Sequence, residues 1–166
     1  MGHTIFYHET YVFYLILKYF HIIGAIVILG TGTGIAFFML SAHRSKNVAF
    51  IARTSGTVVL ADMLFTATAI VAQPITGYLL LLETDTPLSE PWVLQALILF
   101  GIAGAFWLPV VWMQTRMRDL AAAAVAANTP LPSSYHRLFR LWFAFGIPGF
   151  GSVILILWLM VSKQSW

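Results

Sequence analysis

Apolar residues run along this chain in four long blocks separated by short polar breaks. The first extends from Tyr11 to about Ala42 and the second from about Val48 to Leu82. The third runs from Trp92 to about Met117 and the fourth from about Leu138 to Val161. Each exceeds the ~20 residues needed to cross the hydrocarbon core of a bilayer. A backbone surrounded by lipid has to satisfy its own hydrogen bonds, so such blocks are helices. The pattern predicts an all-α fold: an integral membrane four-helix bundle forming a single domain over residues 1–166. The surplus length of the blocks implies tilt or protruding ends.

The breaks fit this division. His43-Arg44-Ser45-Lys46-Asn47 is a short polar turn. Glu83 to Glu90 is acidic and contains Pro87, and Ser89 followed by Pro91 reads as an N-cap and first-turn proline opening the third helix. From Asp119 an alanine-rich stretch is able to extend the third helix past the membrane, until Asn128-Thr129-Pro130-Leu131-Pro132-Ser133-Ser134 ends it. There is no internal repeat. The N-terminus lacks a basic region and a small-residue cleavage site, so the first block reads as a retained helix.

Charge orients the bundle. Arg44, Lys46, Arg53, Arg116, Arg118, Arg137 and Arg140 fall on one side, and only Lys18 and Lys163 lie near the other. The first side is expected to be cytoplasmic, which places the N-terminus and C-terminus both outside. Glu9, Glu83, Asp85 and Glu90 then face outward, with Tyr11, Tyr14, Tyr19, Tyr78, Trp92 and Trp158 as an aromatic belt. The expected location is the bacterial inner membrane, with lipid as the chief partner.

Composition agrees. Of 166 residues, 60% are hydrophobic and 9% charged, against roughly 25% charged in a soluble domain. The basic residues are sparse and flank apolar blocks, so no nucleic-acid surface is indicated. There is no cysteine, which excludes disulfides, thiolate metal sites and cysteine nucleophiles.

His21 is the sharpest chemical candidate. It lies in the outer half of the first helix, and an ionisable group at membrane depth marks a functional site by default. Ala25, Ile28 and Gly32 share its helical face. That face is small enough for a flat ligand or another helix to approach. Neutral imidazole is a natural metal ligand and an axial ligand of haem iron. The bland alternative is a histidine hydrogen-bonded across helices or set among the outer headgroups. No other helix carries a histidine at that depth: His43 and His136 are at the cytoplasmic ends, and His3 and His8 are in the outer tail. Met160, near the outer end of the fourth helix, is a thioether candidate for a second ligand, although methionine is usually core filler. A folded-back His8 and a five-coordinate haem are the other options.

Asp62 is the one acid well inside an apolar block. It should be protonated, paired or next to water, with Arg140 or Arg53 within reach. It reads as a proton-relay carboxylate or, more simply, as an inter-helix hydrogen bond or ion pair. Gln73 and Thr76 flank Pro74 in a segment that interrupts the second helix, either lining a cavity or marking a kink. Gly146-Ile147-Pro148-Gly149 does the same in the fourth helix. Gly30-Thr31-Gly32-Thr33-Gly34 contains a GxxxG spacing and is read as a helix-packing device. No serine–histidine–acid triad, carboxylate dyad or metal-helix motif occurs.

Several blocks carry a family resemblance. They are Leu17-Lys18-Tyr19-Phe20-His21-Ile22-Ile23-Gly24 with Gly30-Thr31-Gly32, Ala72-Gln73-Pro74-Ile75-Thr76-Gly77, Trp112-Met113-Gln114-Thr115-Arg116-Met117, and Arg140-Leu141-Trp142. The chain resembles an uncharacterised bacterial family of small predicted integral membrane proteins (DUF2269-like). That family is distantly similar to a wider four-helix group, including CopD-type copper-resistance proteins and HemJ-type protoporphyrinogen oxidases. The wider group shares a first-helix histidine before a glycine, which in HemJ-type proteins serves haem b. The resemblance carries over His21 alone. It implies a haem b protein acting in electron transfer or in oxidation of a membrane-associated substrate. Two other functions remain open. One is an accessory subunit of a larger membrane complex, or a homo-oligomer. The other is a copper or small-solute permease using Gln73 and Asp62.

Overall fold

A computed structural model describes residues 2–164, with side chains described from Tyr11 onward. His3, His8 and Glu9 therefore lie outside the described side chains. Four helices account for nearly all of it: α1 (Gly2–Ser45), α2 (Val48–Glu83), α3 (Pro91–Ala126) and α4 (Ser133–Ser162). All four are long and apolar enough to span a membrane. The molecule is an all-α four-helix bundle and a multi-pass membrane protein.

The helix ends follow local chemistry. Asn47 caps α2 by accepting from the Phe50 amide at 3.0 Å. Lys46 before it takes a left-handed conformation (φ 57°), which closes the two-residue link from α1. Asn128 does the same after α3 (φ 51°). α3 has 36 residues, about 54 Å at 1.5 Å per residue, so it outruns the ~30 Å hydrocarbon core. Its alanine-rich end packs rather than frays, with Ala121 and Ala124 buried. The cap position of α3 belongs to Glu90, not Ser89, because Pro91 itself is the first helical residue. α4 begins at Ser133, ahead of its apolar block, because Tyr135 is drawn fully into the core.

α2 runs unbroken through Pro74 and α4 through Pro148, so neither proline interrupts its helix. The departure from α-geometry in α2 comes earlier, as a single π-helical turn at Asp62–Thr66. Such a turn inserts an extra residue and shifts which side chains face the bundle.

Packing divides the bundle lengthwise. The half of α2 before the π-turn packs against both α1 and α3, and the half after it packs against α1. α3 and α4 form the most extensive pair, while α1 and α4 meet over a short stretch. The dense core sits toward the end that carries most of the arginines. There Met39, Ile51, Met117, Ala121, Tyr135 and Trp142 are buried together. At the opposite, acidic end, Tyr11, Tyr19, Tyr78 and Trp158 are exposed. Lys18 lies over the Tyr14 ring and Lys163 over the Trp92 ring.

Candidate functional site

Lipid tails are as apolar as leucine, so helices in a membrane gain little from hydrophobic burial against one another, and polar contacts set their register. Two polar groups do so here, both built on α2.

The first joins α1 to the later half of α2. His21 Nδ1 lies 2.8 Å from Thr76 Oγ1. The Thr76 hydroxyl donates to the Ala72 carbonyl at 2.9 Å. It has one proton to give, so it accepts from Nδ1–H. With the Thr76 hydroxyl turned to Ala72, the proton of a neutral imidazole sits on Nδ1 and the Nε2 lone pair is free. Nε2 makes no hydrogen bond among the described residues. The Gln73 amide donates to the His21 carbonyl at 2.8 Å, fixing the backbone that carries the imidazole. Two glycines permit this closeness. A Cβ on Gly24 would collide with the Gln73 amide nitrogen, and one on Gly77 would press on His21 Cε1 at 3.2 Å.

The second group joins α2, α3 and α4 at the π-turn. Asp62 is 3% exposed and Gln114 2%. Trp107 donates to one Asp62 carboxylate oxygen at 3.4 Å. With its amide nitrogen facing Asp62, as the network requires, Gln114 donates to the other oxygen at 3.1 Å and accepts from the Trp142 indole at 3.1 Å. Trp107 and Gln114 are seven residues apart on α3, so they share one face. Both oxygens of the carboxyl are thereby engaged by neutral donors. Arg53 and Arg140 are exposed and take no part. Asp62 thus points into the bundle, and indole and amide donors stand where Arg53 or Arg140 was expected, because the arginines do not reach that interior.

The structure thus brings His21 and Gln73 together and holds Asp62 apart. Eleven residues separate Gln73 from Asp62 along α2, about 16 Å, and each belongs to its own hydrogen-bonded group. The face of α1 that carries His21 is covered by α2 at that level and by α4 further along, where a Cβ on Gly32 would meet the Phe150 ring at 3.5 Å. The space beside Gly32 is therefore filled by an aromatic side chain. Ala25 and Met160 are half-buried. Nothing within 4 Å would meet a Cβ on Gly30, and Gly34 would meet only Phe38 of its own helix. A Cβ at either glycine of the GxxxG pair would thus meet no neighbouring helix of this chain, whereas one at Gly24 or Gly77 would. Among the described residues no three histidines or carboxylates gather as a metal site. Thr76, marked in the sequence only for its place beside Pro74, is the partner of His21, and Trp107, Gln114 and Trp142 build the second group without a motif of their own. Gln114, one of two amides in the third apolar block with Gln95, was a signal that could have pointed to the second group.

A helical membrane bundle with an oriented intramembrane histidine and a separate buried carboxyl defines the class. Within it, the chain belongs to the family of predicted integral membrane proteins DUF2269, whose model matches residues 15–164. No curated protein and no solved structure matches it.

Proposed function

We propose that this is a haem b protein of the bacterial inner membrane, with both termini on the non-cytoplasmic side and His21 as an axial ligand. It acts in electron transfer or in oxidation of a membrane-associated substrate. The observation that carries this reading is the His21–Thr76 hydrogen bond. Ligating histidines donate their other ring N–H to an acceptor that fixes tautomer and ring orientation, and Thr76 stands in that position toward Nδ1. The likeness of Lys18-Tyr19-Phe20-His21 and the following glycine to the first helix of HemJ-type and CopD-type proteins supports it independently. The residues present fit one imidazole ligand. The other described histidines, His43 and His136, lie at the opposite end of the bundle, which leaves Met160, near the outer end of α4, as the candidate second ligand.

When bound, haem b supplies one-electron redox chemistry. The chain's own part is positional. Thr76 holds the proton on Nδ1, Gln73 anchors the His21 carbonyl, and Gly24 and Gly77 let α1 and α2 approach closely enough for both contacts. The test is the visible spectrum of the purified protein, expressed with abundant haem. A Soret band and a reducible b-type spectrum are expected. A colourless, folded, monodisperse preparation overturns the reading and leaves the accessory-subunit function. Thr76→Val should weaken haem retention about 10- to 100-fold, the usual cost of removing such a supporting contact, and Thr76→Ser should restore it. Haem titration of the apoprotein measures both.

Topology is tested separately. A reporter that is active only outside the cytoplasm, fused after Trp166, should be active. Activity of a cytoplasm-only reporter at the same point reverses the orientation.

A further inference from the structure

At the basic end of the bundle, α1 stops, α2 starts and the α3–α4 link crosses over. A cleft of about 520 Å³ opens between them. His43, Arg44, Lys46 and His136 supply its polar wall, and Ile51 and Leu131 are among its apolar lining. Among the described residues no carboxylate lines it. Asp119, an acid on the neighbouring stretch of α3, is paired with Arg118 at 2.8 Å.

Three features mark this cleft as built rather than accidental. The His43 ring is held flat on Phe139, centroids 3.7 Å apart and planes within 7°. Val48, also on the cleft wall, is the first residue of α2. The 36-residue helix therefore starts at the cleft and brings the positive end of its dipole there. Finally, several basic groups converge here with no acidic counterpart among the described residues.

We propose that this cleft binds a phosphate group. Arg44 and Lys46 supply charge, the α2 N-terminus supplies the positive end of its dipole, and His43 and His136 complete the wall. The apolar lining makes an anionic phospholipid, whose headgroup would sit at the charged wall and whose chains would lie along Ile51 and Leu131, the favoured source over free phosphate. Basic clefts between transmembrane helices recognise anionic headgroups by this chemistry.

Native mass spectrometry of the full chain in neutral detergent, titrated with phosphatidylglycerol and with phosphatidylcholine, tests the lipid source. Calorimetry with inorganic phosphate tests the soluble one. Phosphatidylglycerol should bind in preference to phosphatidylcholine. The double variant Arg44→Gln/Lys46→Asn, which keeps a residue tolerant of the left-handed conformation at position 46, should lose about thirtyfold in affinity, each basic group near a charged surface being worth about fivefold. Arg116→Gln/Arg118→Gln, at the same end but off the cleft, should bind as the wild type does. Binding of inorganic phosphate alone, lost in the first double variant, keeps the site and makes its ligand soluble. No preference for either phosphate source, or equal losses in the two double variants, overturns the proposal. Both double variants alter exposed or partly exposed side chains, and size-exclusion profiles matching wild type confirm that they are folded.

Discussion

Gln114→Leu is expected to lower the stability of the bundle by about 1–3 kcal/mol, the cost of leaving buried polar groups without partners. Gln114 serves two neighbours at once, donating to Asp62 and accepting from Trp142, each at 3.1 Å. Leucine is of similar size, so packing changes little, but Asp62 keeps only the longer Trp107 bond at 3.4 Å and the Trp142 indole loses its acceptor. Both groups are buried, and no water reaches lipid depth to replace what is lost. Asp62→Leu alone strands the Gln114 amide in the same way. Removing both should cost less than the sum of the single changes, because the asymmetry lies in orphaning one partner rather than in the bond itself. Denaturant titration of the four proteins in one detergent measures the coupling. Single variants within about 0.5 kcal/mol of wild type, the range of surface changes, would show that this network does not hold α2, α3 and α4 together.

The four helices were legible because lipid imposes them: a long apolar block has no other way to satisfy its backbone. The extension of α3 to Ala126 was legible from its alanines. Asp62 and His21 stood out because ionisable groups in apolar blocks are costly. Their partners did not. Thr76 lies 55 residues from His21 and Trp107 lies 45 from Asp62. Such pairings depend on helix rotation and register, which a single sequence of near-uniform apolarity hardly encodes. The π-turn at Asp62–Thr66 was hidden for a related reason. No residue type demands it, and it arises where α2 changes neighbours. The prolines misled in the opposite sense. Pro74 and Pro148 marked expected interruptions, yet both sit inside continuous helices. Among the glycines, the GxxxG spacing drew attention to Gly30 and Gly34, while Gly24, Gly77 and Gly149, outside that spacing, are pressed against a neighbouring helix.

The visible spectrum of His21→Ala, compared with wild type and with His136→Ala, separates a haem-ligating His21 from a packing one. Insertion depends on hydropathy and flanking charge rather than on this imidazole, so the variant should reach the membrane and purify as a folded protein. His136 is exposed at the opposite end of the bundle, so its loss should leave the pigment intact. The account predicts a Soret band and reducible b-type spectrum in wild type and His136→Ala, and a colourless His21→Ala. A His21→Ala protein that keeps the wild-type spectrum, or a wild-type protein that is folded and colourless with haem in abundance, would contradict it.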